Sequence, residues 1–140
     1  MSKYPYRQDK DELKALLQQF DNLKTGKNNS FIEEDSFERI IDYYDENEQL
    51  TLALEAAEYG IEQYPYSAML LLKKADILIA LRRYKESLFI LDQAELLDSK
   101  DPNLYRLKTA AYLALDMHTK AAAVLQTASE SIQGKEKVDL

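Results

Sequence analysis

A single histidine, His118, and a run of carboxylates are the side chains whose chemistry stands out in this sequence. The absence of cysteine excludes disulfides, thiol catalysis and thiolate metal sites. No catalytic constellation forms around the single histidine, His118. The carboxylates Glu33, Glu34, Asp35, Asp42, Asp45, Glu46 and Glu48 could suggest a hard cation. Such a site needs oxygens from alternate positions of a loop with a turn glycine, and this stretch has neither. Acid–base catalysis would need burial to separate two carboxylate pKa values, which exposed helical side chains lack. Gly26, Gly60 and Gly134 lie too far apart to build a phosphate loop. No enzymatic activity, metal or cofactor is therefore expected.

Composition points the same way. The chain has 140 residues, 46% apolar and 31% charged, which suits one folded domain with a real core. Three glycines and three prolines are too few for a protein of strands and hairpins, so helices joined by tight turns are predicted. Eighteen basic and 25 acidic residues leave a net charge of −7, a poor basis for gripping phosphate backbones. The basic pairs Lys73-Lys74 and Arg82-Arg83 sit in a segment, 68–101, where six positive charges meet six negative. Nucleic acid is not an expected partner. No apolar run approaches the roughly 18 residues of a membrane span, so membrane insertion is not expected. Residues 1–7 carry no apolar stretch of the signal-peptide kind. A cytoplasmic location is the expectation from these features.

The elements emerge from an internal period of 34 residues. Small residues recur at Ala53, Ser87 and Ala121, and again at Gly60, Ala94 and Ala128. Large ones recur at Phe37, Leu71 and Tyr105, and at Tyr44, Leu78 and Tyr112, with Ala57, Leu91 and Leu125 as a fifth register. Two antiparallel helices approach to about 8–10 Å only where small side chains meet at the crossing. The large residues then fill grooves between successive hairpins, so neighbours must stack to bury their apolar faces. Most of the ten tyrosines fall on these registers and read as packing groups.

A helix–turn–helix period of this length and pattern resembles the tetratricopeptide repeat family. Segment 68–101 matches best, through Leu71, Ala75, Leu78, Tyr84, Ser87, Leu91 and Ala94. Segment 34–67 matches through Phe37, Tyr44, Leu50, Ala53, Gly60 and Pro65, and segment 102–135 through Tyr105, Tyr112, Ala121, Leu125 and Ala128. Lys74 and Lys108 replace the usual leucine, Ile41 and Thr109 a small residue, and His118 an aromatic. The resemblance implies an all-α, right-handed α-solenoid of antiparallel hairpins with about seven helices. Helices are predicted near 34–47, 50–63, 67–80, 84–97, 102–114 and 118–132. Pro102 should occupy a first helical turn, capped by Asp101 or Ser99.

The two ends differ. Leu13, Leu16, Leu17, Phe20 and Leu23 are spaced as one face of an amphipathic helix over 9–23, stopped by the loop 25–30. Residues 1–30 thus form a helix and loop that either cover the flank of the first repeat or lie in its groove. After Ile132 the chain is short and polar, and 136–140 is expected to be a disordered tail. Small residues at Ala121, Ala122, Ala123 and Ala128 then leave a stacking face for a homodimer or for further repeats.

In the family resembled, the first helix of each hairpin lines a concave groove that holds a partner peptide or helix. Carried over by position, the first repeat contributes Asp35, Glu38, Asp42, Asp45 and Glu46. The second contributes Met69, Leu72, Asp76, Ile79 and Ala80, and the third Asn103, Arg106, Ala110, Leu113 and Ala114. Some members hold the terminal carboxylate of chaperone tails with Lys and Asn. Here Glu38, Asp42, Leu72 and Asp76 hold the comparable places, so that activity is not expected. Segment 34–67 carries one positive and ten negative side chains, a net −9. The expected role is an adaptor or scaffold that takes a basic or amphipathic protein segment. A self-assembly element dimerising through the stacking face, or an accessory piece of an enzyme or secretion complex, are the other readings.

Overall fold

The computed structural model describes residues 6–27 and 31–138, with side chains for 9–27 and 31–131. Among the described residues there are seven α-helices and no strand. The chain falls into two compact units, Met1–Pro65 and Tyr66–Leu140. The first holds α1 (Tyr6–Lys24), α2 (Glu34–Glu46) and α3 (Leu50–Gln63). The second holds α4 (Ala68–Ala80), α5 (Tyr84–Leu97), α6 (Pro102–Ala114) and α7 (His118–Val138). α2 packs on α3, α4 on α5 and α6 on α7, each pair joined by a turn of three residues (47–49, 81–83, 115–117).

These three turns repeat one backbone device that the sequence conceals. Glu48, Arg82 and Asp116, spaced by 34, all adopt the left-handed conformation, with φ of 59°, 63° and 61°. The next amide in each turn reaches back to a carbonyl of the preceding helix. Gln49 N donates to Tyr44 O, Arg83 N to Leu78 O and Met117 N to Tyr112 O, each at 2.8 Å. Carbonyls that a helix end leaves without partners are thereby satisfied. Glycine usually fills such a position, because a Cβ there costs roughly 1 kcal/mol. This chain places charged residues there instead, and the turns form regardless.

In the first unit, Phe37, Ile40, Ile41 and Tyr44 of α2 are buried, and so are Ala53, Ala56, Ala57 and Gly60 of α3. The small side chains of α3 let the two helices approach. α1 packs on the side that carries Arg39, Tyr44 and Tyr59. Its Phe20 is fully buried, edge-on to Tyr59 at 5.6 Å and 6.4 Å from Tyr44. Burying a phenylalanine contributes about 1.5–3 kcal/mol. Lys24 of α1 reaches Glu55 of α3 at 3.5 Å. The loop before α2 is tied down by Tyr64, whose hydroxyl donates to Ile32 O at 2.7 Å, and by Gln63 Oε1, which accepts from Ile32 N at 3.2 Å.

In the second unit α4 is apolar on most sides, with Leu70, Leu71, Leu72, Ala75, Ile77 and Leu78 all buried. Ser67 caps it, accepting from Leu70 N at 3.2 Å. Ser87 has no exposed surface and donates to Ala75 O at 2.9 Å, which satisfies the hydroxyl at a helix crossing. α6 starts at Pro102 with Asp101 as its cap, accepting from Asn103 N at 2.9 Å. Ser99 contributes its carbonyl to the Tyr105 hydroxyl.

One expectation needs correction. α7 continues to Val138, past the end near 132 and into the tail expected to be disordered from 136. A lone Gly134 costs a helix only about 1 kcal/mol, Lys135, Glu136 and Lys137 favour helix, and no proline follows. Residues 139–140 of that tail, like 1–5 and 28–30 of the amino-terminal segment, lie outside the described residues.

Candidate partner-binding surfaces

On α2, residues 35, 38, 42 and 45 are spaced by three, four and three, which places their side chains on one helical face. Asp35 and Asp45 are exposed, and Glu38 and Asp42 are half-buried. Phe37, Ile40, Ile41 and Tyr44 occupy the opposite, buried side and fix the rotation of the helix. Arg39 is the sole cation among residues 34–67. Its guanidinium is turned to α1, 3.1 Å from Asp9 Oδ1 and 3.6 Å from Glu12 Oε2. The one positive charge of this segment thus serves the α1 contact, and the face bearing the four expected residues is built from carboxylates.

In the second unit the expected residues divide. Asp76 and Arg106 are exposed, Met69 and Ile79 are half-buried, and Leu113 has 49% of its surface in solvent. Leu72 does not behave as a surface residue: only 8% of it is exposed. α4 packs along α6. Arg106 Nε lies 3.4 Å from Asn103 Oδ1.

A polar cluster that periodicity passes over surrounds Lys108. The sequence marks it as a lysine in place of leucine; the structure shows why it is tolerated. Its ammonium lies 2.9 Å from Asp92 Oδ1 and also bonds Glu95. Desolvation pushes the Lys108 pKa down, but hydrogen bonds to Glu95 and Asp92 and their charges prevail and hold it above the ordinary lysine value. Beside it lies a pocket of about 200 Å³ bordered by Tyr105, Tyr112, Lys120, Val124 and Thr127, with the Lys120 ammonium 5.9 Å from the Tyr112 ring centre. One period earlier, Lys74, Leu78, Phe89 and Ile90 border a second hollow of about 410 Å³. Besides the lysine itself, the sequence signal for this cluster is the carboxylate pair Asp92 and Glu95, sixteen and thirteen residues earlier.

His118, the first residue of α7, is exposed, and its Nε2 lies 2.6 Å from Asp116 Oδ1 in the preceding turn. Among the described residues, no three His, Cys, Asp or Glu side chains are grouped to hold a metal ion. No helix there is long and apolar enough to cross a membrane.

With this geometry in hand, comparison with known proteins places the fold. No protein-family model matches the chain, and no curated protein matches it in sequence. Solved structures do match. The TPR domain of Arabidopsis OM64 superposes with a TM-score of 0.66 at 17% identity, over 70% of this chain and 81% of that one. MamA (AMB-1) superposes with a TM-score of 0.70 at 17% identity, over 87% of this chain and 68% of that one. MamA (MSR-1) gives 0.66 at 16%, over 74% of this chain and 59% of the other. The chain therefore has a tetratricopeptide-like helical-repeat fold.

Proposed function

We propose that the chain is a protein-interaction module, an adaptor or scaffold that receives a basic or amphipathic segment of another protein. The observation that carries this reading is the α2 face. Asp35, Glu38, Asp42 and Asp45 share one side of the helix, while Arg39 is committed to Asp9 and Glu12 of α1. A helical face kept polar only for solubility usually mixes signs, and these four positions are all acidic. The domain arrangement we propose with it is an amino-terminal helix and loop over 1–30 followed by three repeats from 34 to 135.

Carboxylates on α2 would attract and orient a cationic segment, which acts mainly on the association rate and weakens with salt. Within the second unit, exposed apolar surface at Leu113, with Ile79 and Met69 half-buried, would offer contact to an apolar segment and set its residence time there. Leu72, being buried, would support this surface from below rather than touch the ligand.

Titration of a fluorescent amphipathic helix bearing lysines on one side tests the proposal. Binding should be saturable, weaken as salt rises, and fall at least about tenfold in Asp42→Lys, with the variant's circular dichroism unchanged. Equal affinity for wild type and Asp42→Lys, at low salt, would remove the acidic face from the account.

A further inference from the structure

The pocket beside Lys108 is built by three helices of the second unit. α6 supplies Tyr105, Lys108 and Tyr112, spaced by three and four and so on one helical face. α7 supplies Lys120, Ala123, Val124 and Thr127, also one face, and α5 adds Glu95. Two of the hydroxyls are already used: Tyr105 donates to Ser99 O, and Thr127 donates to Ala123 O at 3.0 Å. What these walls offer a ligand is therefore mainly rings and aliphatic groups. The helical repeat does not demand this set. One period earlier, Leu71, Leu78 and Glu86 stand at the places of Tyr105, Tyr112 and Lys120, and Glu86 is held by Arg83 at 2.7 Å.

Charge and size narrow the occupant. Asp92 and Glu95 hold the Lys108 ammonium, so that cation has little attraction left for an anion. Lys120 is different. It is exposed, lies 5.9 Å over the Tyr112 ring, and has no carboxylate partner among the described residues. A cavity of about 150 Å³ takes one benzene ring, so a pocket of about 200 Å³ admits one aromatic side chain and little more. Sites for drug-sized free molecules are larger, about 300–1,000 Å³. A half-buried Tyr112 ring suits an aromatic guest, which can meet it edge-on or offset. On α5 the residue after Glu95 is Leu96, 88% exposed, an apolar ledge of the kind that residues flanking an anchor cover.

We propose that this pocket is an anchor site for an aromatic side chain of a partner protein whose neighbouring residues are acidic. The ring seats against Tyr112 and Val124, and a flanking carboxylate meets Lys120. The site prefers the charge opposite to the one that suits the α2 face, and it stands or falls independently of that face.

The test uses three probes: a capped pentapeptide with one phenylalanine between two glutamates, its counterpart with two lysines, and phenylacetate. Each is titrated into the isotope-labelled full chain and followed by NMR. The acidic peptide should bind saturably, with a Kd on the order of 1 mM, and shift the amides of Tyr105, Tyr112, Val124 and Thr127. The lysine peptide should bind at least about fivefold more weakly. Ala123→Phe, at an exposed position, fills the pocket and should weaken the acidic peptide at least about tenfold with circular dichroism unchanged. Lys120→Glu, which installs the residue found one period earlier, should reverse the preference between the two peptides. Asp42→Lys on α2 should change none of this. Equal affinity in wild type and Ala123→Phe, or equal binding of the two peptides, overturns the proposal. Phenylacetate binding more tightly than the acidic peptide also overturns it, because the site would then belong to a free carboxylate.

Discussion

The first hairpin, α2–α3, and the last, α6–α7, share a backbone and close in opposite ways. At one repeat register α2 has Ile40, fully buried, while α6 has Lys108, held by Asp92 and Glu95 beside a pocket of about 200 Å³. At another register Ala57 of α3 has no exposure, while Leu125 of α7 is 57% exposed. α1 supplies Phe20 to an aromatic cluster with Tyr44 and Tyr59, and α7 has no such cover among the described residues. The contrast teaches that this fold demands small residues at the helix crossing and a satisfied turn. It tolerates charge or exposure at the stacking registers, provided that the charge finds partners.

Exchanging residues between the two hairpins should give the largest effects. Ile40→Lys places an ammonium in a site without exposed surface, and is expected to cost about 4 kcal/mol or more in urea unfolding. The converse change, Lys108→Met, should stay within about 1 kcal/mol of wild type, since Asp92 and Glu95 retain exposed surface and can rehydrate. A large loss in Lys108→Met would show that the ion pairs, and not the fit of the stem, hold α5 to α6. Phe20→Ala should cost about 3–5 kcal/mol and release α1 to rapid amide exchange. Leu125→Ala, the corresponding loss on α7, should stay within about 0.5 kcal/mol.

Turn substitutions come next in size. Replacing Glu48, Arg82 or Asp116 with glycine should stabilise the chain by about 1 kcal/mol each, because each relieves a left-handed Cβ. If Arg82→Gly alone destabilises, its side chain has a partner that outweighs the strain.

The smallest effects are those of pH. The Lys108 pKa is raised on folding, so its contribution is complete below the ordinary lysine value of 10.5 and is lost as pH rises through the folded value. The wild-type midpoint should therefore drift relative to Lys108→Met only in strongly alkaline buffer, and in the variant's favour. Glu86 behaves oppositely: the hydrogen bond from Arg83 lowers its pKa. Its contribution is present above the ordinary carboxylate value and lost as pH falls through the lowered one. Because Glu86 is exposed, Glu86→Gln should barely move the midpoint at neutral pH and should flatten the acid limb slightly.

Much of this comparison is legible in the sequence. The 34-residue period fixes which residues share a register, and helix bounds at α3, α5 and α6 fall where the small and large residues place them. Asp101 and Pro102 announce the start of α6. What the sequence conceals depends on pairing across elements, which has no period. Arg39 finds Asp9 and Glu12 thirty and twenty-seven residues earlier, and Lys108 finds Asp92 and Glu95 on another helix. The turns escape notice because the expected glycine is absent, and Leu72 because α4 is apolar on most sides and its periodicity cannot tell surface from core.

The most direct test of the central claim is a pull-down from source-cell lysate at low and moderate salt, comparing wild type with the folded Asp42→Lys/Asp76→Lys variant. The account predicts a partner with a basic or amphipathic segment that wild type retains at low salt and the variant loses. A partner retained equally by both proteins would contradict it and move recognition away from the acidic face of α2.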